Sequence, residues 1–182
     1  MHTYVALLRG INVGGKNRIP MAELKSLFSS LGLEDVVTYI QSGNAVFRSP
    51  TVAAGEVAAG IEQGISAVFG IDVAVLIRTP AELREIARSN PFLEEEADLS
   101  KLHVAFLDAA PAAGEVARLD PQRSPPDAFS LRGREIYLRF PNGSGRSKLT
   151  VDYFERRLGV RATARNWNTL AKLHELTGGE HG

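Results

Sequence analysis

The order of elements in the fold is set by residues 3–48, which read TYVALLRGINVGGKNRIPMAELKSLFSSLGLEDVVTYIQSGNAVFR. Residues 3–9 are a short apolar run closed by a glycine, a pattern typical of a buried strand. Residues 20–32 begin with proline, repeat apolar side chains at helical spacing and end at a glycine, which predicts an amphipathic helix. The strand-like segments 36–41 and 45–48 flank a short polar turn and predict a hairpin.

A second helix and a fourth strand complete this first half of the chain. The helix is predicted from four apolar residues on one face, Val57, Ile61, Ile65 and Val68. Residues 71–77 then alternate between apolar and other side chains with a period of two, which predicts a strand. Residues 1–78 therefore have the predicted order β-α-β-β-α-β.

The second half repeats that order after a connector. Thr79 and Glu82 form a capping box with proline between them, which marks the start of a connector helix within residues 79–100. The elements predicted beyond it are strands at 102–108, 128–131, 135–140 and 160–165, helices at 112–119 and 149–158, and a closing helix from Trp167. The predicted fold class is α+β, with two ferredoxin-like subdomains, 1–78 and 101–182, in tandem.

Composition removes several classes of function. The 182 residues carry 21 basic and 21 acidic side chains, so nucleic-acid binding would need a local basic patch. The chain has no cysteine, and its four histidines show no metal-ligand spacing, so we predict no metal and no cofactor. The N-terminus lacks the pattern of a signal peptide, and the longest apolar runs fall short of the roughly 18 residues that span a bilayer. We therefore expect a cytoplasmic protein without membrane contact.

The predicted topology brings polar segments together in pairs. In each β-α-β-β-α-β unit the first two strands end at one edge of the sheet, and the last two end at the opposite edge. The loop 9–17 is therefore expected beside the turn 41–44. By the same reasoning the loop 141–148 is expected beside residues 165–168.

The first pair of segments is a candidate anion site. Glycines let a backbone turn its N–H groups towards a phosphate or carboxylate, and a lysine follows them here. The candidate ligand contacts are Arg9, Asn12, Gly14, Gly15, Lys16, Asn17, Gln41, Ser42 and Asn44. The glycine spacing matches neither common nucleotide loop, and the alternative is that these glycines and amides serve the backbone of a tight connection and a hairpin turn.

The second pair combines basic side chains with the start of two helices. Residues 141–148 precede a helix, whose positive dipole end favours anions. The candidate contacts are Arg146, Ser147, Lys148, Arg165, Asn166, Trp167 and Asn168. In one interpretation the indole stacks on a base or sugar; in the other, Asn166 or Asn168 caps the helix and Trp167 anchors it to the core.

Five segments of the chain resemble a known bacterial family, the domain of unknown function 1697. They are LLRGINVGGKN, TYIQSGNAVF, NPF, GRSKLT and TARNWNTLAKL, in that order and over nearly the whole chain. The resemblance implies an α+β structure of two ferredoxin-like subdomains, in agreement with the predicted order of elements. It implies no reaction and no ligand.

Three functional hypotheses follow. The leading one is a binding protein for a small anionic ligand, such as a nucleotide or phosphorylated metabolite, with enzymatic activity left open and no catalytic residue identified. The first alternative is RNA or single-stranded nucleic-acid binding, which the isolated strand aromatics and zero net charge disfavour. The second is a protein-interaction module whose polar loops are structural. The sequence does not predict the oligomeric state.

Overall fold

The computed structural model describes residues 1–40 and 43–179. The first half contains one four-stranded sheet. Its elements are the strands β1 (His2–Leu8), β2 (Glu34–Tyr39), β3 (Asn44–Ser49) and β4 (Val75–Arg78), and the helices α1 (Met21–Ser30) and α2 (Ala54–Phe69). The strand order is β2-β3-β1-β4, and every neighbouring pair is antiparallel.

The second half contains a matching sheet. Helix α3 (Pro80–Arg88) and a short 3-10 helix (Leu99–Lys101) lead into it. Its elements are the strands β5 (Leu102–Leu107), β6 (Ala128–Arg132), β7 (Glu135–Arg139) and β8 (Ala162–Asn166), and the helices α4 (Ala113–Val116), α5 (Val151–Leu158) and α6 (Trp167–Leu176). The strand order is β6-β7-β5-β8, again with antiparallel neighbours. The described residues thus form an α+β fold with two four-stranded antiparallel sheets and six α-helices, and the predicted order of elements is confirmed in both halves.

The chain divides into two compact units. Unit one consists of Met1–Arg84 and Leu173–Gly182, and unit two consists of Glu85–Lys172. The divisions fall inside helices α3 and α6. Across the described residues, no helix combines the length and apolar character needed to cross a bilayer.

The core of unit one lies between one face of its sheet and helices α1 and α2. Tyr4, Ala6 and Leu8 alternate along β1 and belong to one buried cluster with side chains of both helices. Phe28 of α1 meets Phe47 of β3 edge to face, with ring centres 5.3 Å apart. Each fully buried aromatic or aliphatic side chain of this kind stabilises the fold by about 1.5–3 kcal/mol.

The core of unit two positions α5. Phe154 of α5 packs edge to face on Phe129 of β6, with ring centres 5.5 Å apart, and Leu158 belongs to the same buried cluster. Because residues three and four apart share a helix face, burying Phe154 and Leu158 leaves the neighbouring Arg156 and Arg157 exposed. The hydrophobic pattern of α5 therefore decides which of its side chains face solvent.

Two predicted elements are shorter than expected. The strand predicted at 71–77 is paired only over Val75–Arg78, because β1 reaches no further than Leu8, whose partner is Val75. The helix predicted at 112–119 is reduced to Ala113–Val116. In the first case a period-two pattern extends beyond the strand that can pair with it.

The predicted capping box is present. The backbone N–H of Thr79 donates to Glu82 Oε2 at 2.8 Å, and the N–H of Glu82 donates to Thr79 Oγ1 at 3.2 Å. These two bonds satisfy donors that the first turn of a helix leaves without intrahelical partners. The start of α3 was therefore readable from the sequence.

Candidate functional site

The glycine-rich loop of unit one forms a small hairpin. Gly14 and Gly15 have φ values of 59° and 75°, and Lys16 N–H donates to the Val13 carbonyl at 3.0 Å across them. Two consecutive left-handed residues are the requirement of a tight hairpin turn, and glycine meets it without steric cost. Lys16 is exposed at this turn.

The amides of this loop hold its own backbone. Asn12 Oδ1 accepts from the N–H of Ile19 and Asn12 Nδ2 donates to the carbonyl of Ile19, both at 2.9 Å. Asn17 Nδ2 donates to the carbonyl of Gly10 at 3.2 Å. The predicted contacts Asn12 and Asn17 are thus engaged in fixing a loop whose exposed cation is Lys16.

The loop and the following turn of unit one lie side by side, as predicted. Leu8 N–H donates to the Gly43 carbonyl at 2.8 Å, and a Cβ placed on Gly43 would lie 2.8 Å from Ile11 Cδ1. Asn44 is buried, and its Nδ2 donates to the carbonyl of Tyr39 at 3.0 Å. The predicted contacts Gln41 and Ser42 lie outside the described residues.

In unit two the loops after β7 and β8 start at the same end of the sheet, also as predicted. Arg139 of β7 pairs with Leu102 of β5, and Asn166 of β8 pairs with the adjacent His103. Loop 141–148 therefore begins at the edge at which α6 begins.

The predicted contacts at the start of α6 have identifiable structural roles. Asn166 Oδ1 accepts from Thr169 N–H at 2.8 Å, which caps the helix, and Trp167 is buried. The guanidinium of Arg165 is buried and donates to Thr163 Oγ1 at 2.7 Å, and burial lowers the pKa of Arg165 to about 10. Asn168 is exposed.

A different set of residues in unit two surrounds a cleft of about 420 Å³. We call it the arginine cleft. Its lining residues are Arg123, Thr150, Tyr153, Arg156 and Arg157. None of them was among the predicted site residues. Arg123 comes from the loop between α4 and β6, and the other four come from α5 and its N-cap.

Helix α5 supplies one wall of the arginine cleft. Thr150, Tyr153 and Arg157 lie three and four positions apart, so they share a face of the helix, and Arg156, three positions after Tyr153, lies at the edge of that face. Thr150 is the N-cap, and its Oγ1 accepts from Tyr153 N–H at 3.1 Å. The side chain that caps the helix therefore also lines the cleft.

Arg123 is held in place by two contacts. Its Nε donates to the Lys148 carbonyl at 2.9 Å, and its guanidinium carbon lies 4.0 Å from the centre of the Tyr153 ring. Tyr153 is in turn fixed because its hydroxyl accepts from Asp120 N–H at 3.0 Å. A guanidinium stacked on an aromatic ring and anchored through Nε keeps its terminal nitrogens directed to other partners.

The arginine cleft carries positive charge without a counter-ion. Elsewhere, arginines pair with carboxylates: Arg48 with Asp35, Arg118 with Glu115, Arg139 with Glu96 and Arg161 with Asp108. Within residues 1–40 and 43–179, Arg123, Arg156 and Arg157 form no such ion pair. Arg157 also lies 5.8 Å from the Tyr153 ring centre, which brings two cations to one aromatic side chain. An anion in the cleft would relieve their mutual repulsion.

The predicted loop 141–148 borders this cleft. Lys148 supplies the carbonyl that anchors Arg123, and its N–H donates to Ser124 Oγ at 3.0 Å. The side chains of Arg146 and Lys148 are exposed, while Ser147 Oγ accepts from Leu149 N–H at 3.1 Å. One signal in the sequence could have pointed to the cleft, namely two consecutive arginines at helical spacing from a tyrosine.

A metal centre has no support in the described part of the chain. No group of three or more histidine, aspartate and glutamate side chains is placed there to hold a metal ion. His103 is mostly buried, its ring packs on Phe140 at 5.1 Å, and its Nδ1 has no hydrogen-bond partner among the described residues. Burial lowers the pKa of His103, which favours a neutral structural side chain.

Comparison with known proteins gives a family and a fold. The model of the family described as protein of unknown function (DUF1697) matches residues 1–137, a range that includes Arg123 and ends before α5. A solved conserved bacterial protein from Streptococcus pneumoniae is 23% identical, with a TM-score of 0.76 over 98% of this chain and 99% of that chain. At this identity the similarity shows the fold alone. None of the curated proteins matches the chain significantly.

Proposed function

The chain belongs to DUF1697, a family of proteins of unknown function. Because membership of this family does not identify a ligand, we propose a ligand from the geometry of unit two. We propose that the protein binds a small phosphate-bearing anion, such as a nucleotide or phosphorylated metabolite, in the arginine cleft. The observation that carries the proposal is the convergence of Arg123, Arg156 and Arg157 on one cleft, where they have no carboxylate partner among residues 1–40 and 43–179.

Guanidinium groups suit this ligand class for a geometric reason. Arginine presents a planar fork of N–H donors that matches two oxygens of a phosphate, and each charge-assisted hydrogen bond contributes about 1.5–3 kcal/mol. Arg123 is already fixed by its carbonyl and ring contacts, so binding costs little additional side-chain entropy there. The described residues that line the cleft include no carboxylate and no histidine, so the proposal is limited to binding, and enzymatic activity stays open.

The predicted loops receive unequal support as ligand contacts. Arg146 and Lys148 remain proposed contacts, because their loop borders the cleft and their side chains are exposed. Lys16 remains a proposed contact of a second site in unit one. The side-chain amides of Asn12, Asn17, Asn44 and Asn166 receive less support, since they bond to backbone groups.

The proposal is tested by ligand-dependent thermal stability with a panel of inorganic phosphate, sugar phosphates and nucleotides at low salt. A ligand that binds only the folded protein at 100 times its Kd stabilises it by about 2.7 kcal/mol. We expect at least one panel member to stabilise the wild type and to lose most of this effect in Arg156→Ala. The control is Arg48→Ala, which removes an exposed arginine of unit one and should change nothing. No stabilisation by any member, or equal loss in both variants, would overturn the proposal.

A protein-interaction role is the second candidate. The observation that favours it is the self-supporting hairpin of unit one, which leaves Val13 61% exposed beside the turn. A loop whose backbone is already fixed loses little conformational entropy on contact with another protein. If no ligand of the panel changes the thermal stability, this role would be favoured over anion binding.

We also propose the finer features of organisation that the sequence predicts. The strand orders β2-β3-β1-β4 and β6-β7-β5-β8 support two ferredoxin-like subdomains in tandem, with domain bounds at 1–78 and 101–182 and a connector between them. The absence of cysteine supports a cytoplasmic setting.

A further inference from the structure

We infer that the arginine cleft takes a ligand with at least two linked phosphates, a condensed phosphate or its ester, and that it selects by phosphate number without reading a base. This inference rests on the proposed function and names the ligand class of the same site. It concerns Arg123, Arg156 and Arg157 together with the loop that anchors Arg123.

Charge and volume both exceed what one phosphate provides. A phosphate monoester carries a charge of about −1.5 to −2 at neutral pH, whereas three guanidinium groups face the cleft. A single phosphate therefore leaves part of the positive charge without a partner. The cleft measures about 420 Å³, which falls within the range that holds ligands much larger than phosphate.

The directions of the arginines also favour an extended anion. Arg156 and Arg157 are consecutive on α5, so their stems leave the helix about 100° apart. Arg123 approaches from a different segment, the loop anchored to the Lys148 carbonyl. Three guanidinium groups that approach from three directions can form more hydrogen bonds with oxygens spread along a phosphate chain than with the oxygens of one phosphate.

Among the described residues, the lining has no free aromatic face and no carboxylate to hold a nucleoside. Tyr153 is its one aromatic residue, and Arg123 already covers the ring at 4.0 Å from its centre. The Tyr153 hydroxyl is engaged with the backbone of Asp120. Base recognition relies on free aromatic faces and on side chains that read base edges, and a ribose is commonly held by a carboxylate. The described lining residues supply no free aromatic face and no carboxylate, and we assign their arginine side chains to phosphate oxygens and not to base edges.

Positive charge continues beyond the cleft along the neighbouring loop. Lys148 and Arg146 are exposed there, and the backbone of Lys148 is tied to Arg123 and to Ser124. Their charge would favour a longer phosphate chain that extends from the cleft towards this loop. Affinity is therefore expected to rise from orthophosphate to pyrophosphate to tripolyphosphate.

The test is isothermal titration calorimetry of the full chain with sodium orthophosphate, pyrophosphate and tripolyphosphate, in EDTA to remove divalent cations. We expect pyrophosphate to bind about tenfold or more tightly than orthophosphate, because each added phosphate gains charge-assisted hydrogen bonds. ATP, GTP and UTP are titrated in parallel and should agree with one another within about threefold. Arg157→Gln should weaken pyrophosphate binding about tenfold or more, while Arg48→Gln, which removes one positive charge from unit one, should leave it unchanged.

The possible outcomes separate this inference from the proposed function. Equal affinities for orthophosphate and pyrophosphate would overturn the linked-phosphate inference and leave the proposed function standing. A preference of more than about tenfold for one nucleoside triphosphate would overturn the claim that the base is not read. No binding of any phosphate would overturn the proposed function itself. Arg156 and Arg157 are exposed, so their variants should fold, which circular dichroism verifies.

Discussion

Replacing Gly43 by alanine tests the contact between the first loop and the first hairpin turn. Gly43 has a φ of 84°, and an added Cβ would lie 2.8 Å from Ile11 Cδ1 and 2.9 Å from Leu8 Cβ. Neither distance is compatible with a normal van der Waals contact, so Ile11 or the backbone has to shift. Gly14 provides the matched control, since its φ is 59° but an added Cβ meets nothing within 4 Å.

The two variants separate backbone strain from the clash. A left-handed conformation costs a residue other than glycine about 1–2 kcal/mol, and both variants incur this cost. Overpacking adds about 1–3 kcal/mol in Gly43→Ala alone. We therefore expect Gly43→Ala to lower the free energy of unfolding by about 2–5 kcal/mol and Gly14→Ala by about 1–2 kcal/mol.

Urea unfolding followed by far-UV circular dichroism measures both losses, because that signal includes helices α1 and α2 of unit one. Ile11→Ala removes both Cγ1 and Cδ1, each 2.8 Å from the added Cβ, and by itself costs about 2–5 kcal/mol. In that background Gly43→Ala should cost at least about 0.5 kcal/mol less than in the wild type, as expected for two residues in contact. Equal losses in Gly43→Ala and Gly14→Ala would refute the packing of the loop on the turn.

Three further predictions concern unit two. Tyr137→Phe removes the hydrogen bond from the buried Tyr137 hydroxyl to the Ile86 carbonyl and should lower the free energy of unfolding by about 1–2 kcal/mol in urea. Burial raises the pKa of Tyr137 to about 12, so the unfolded chain loses this proton first as the pH rises. The stability of the wild type should therefore fall between pH 10 and 12, and that of the variant should fall less. Burial lowers the pKa of His103 from 6.5, so the unfolded chain gains the proton first as the pH falls below that value. The free energy of unfolding of the wild type should therefore decrease below pH 6.5. An equally steep decrease in His103→Phe would contradict the assignment of this pH dependence to His103. Thr150→Ala removes the cap of α5 and should cost about 1 kcal/mol of stability, whereas an unchanged urea midpoint would show that the cap does not act.

Much of the fold was readable from local signals. The capping box at Thr79 identifies the start of α3, and the apolar spacing of α1 and α2 identifies those helices. Both signals depend only on residues close in sequence. The length of β4 was not readable, because it depends on where β1 ends opposite Val75. Local periodicity indicates that a segment can form a strand. The neighbouring strand that pairs with it determines how long that strand is.

The arginine cleft was not predicted, because it also depends on contacts between residues distant in sequence. Loop composition drew attention to residues 9–17, 41–44, 141–148 and 165–168, where glycines, amides or cations are concentrated. Several of those amides turn out to fix backbone, as Asn12 does for Ile19 and Asn166 does for α6. Arg123 reaches Tyr153 only in the folded chain, across thirty positions of sequence, and no local pattern announces that contact.

The central claim is that the guanidinium groups of the arginine cleft bind phosphate oxygens. The most direct test is a ¹H–¹⁵N spectrum of the arginine side chains during titration with pyrophosphate, with Nε–H signals assigned from single Arg→Lys variants. We expect the signals of Arg123, Arg156 and Arg157 to shift together and saturably, while that of Arg48 stays fixed. If those three signals remain in place at saturating pyrophosphate, or if all arginine signals drift equally, the cleft is not the binding site.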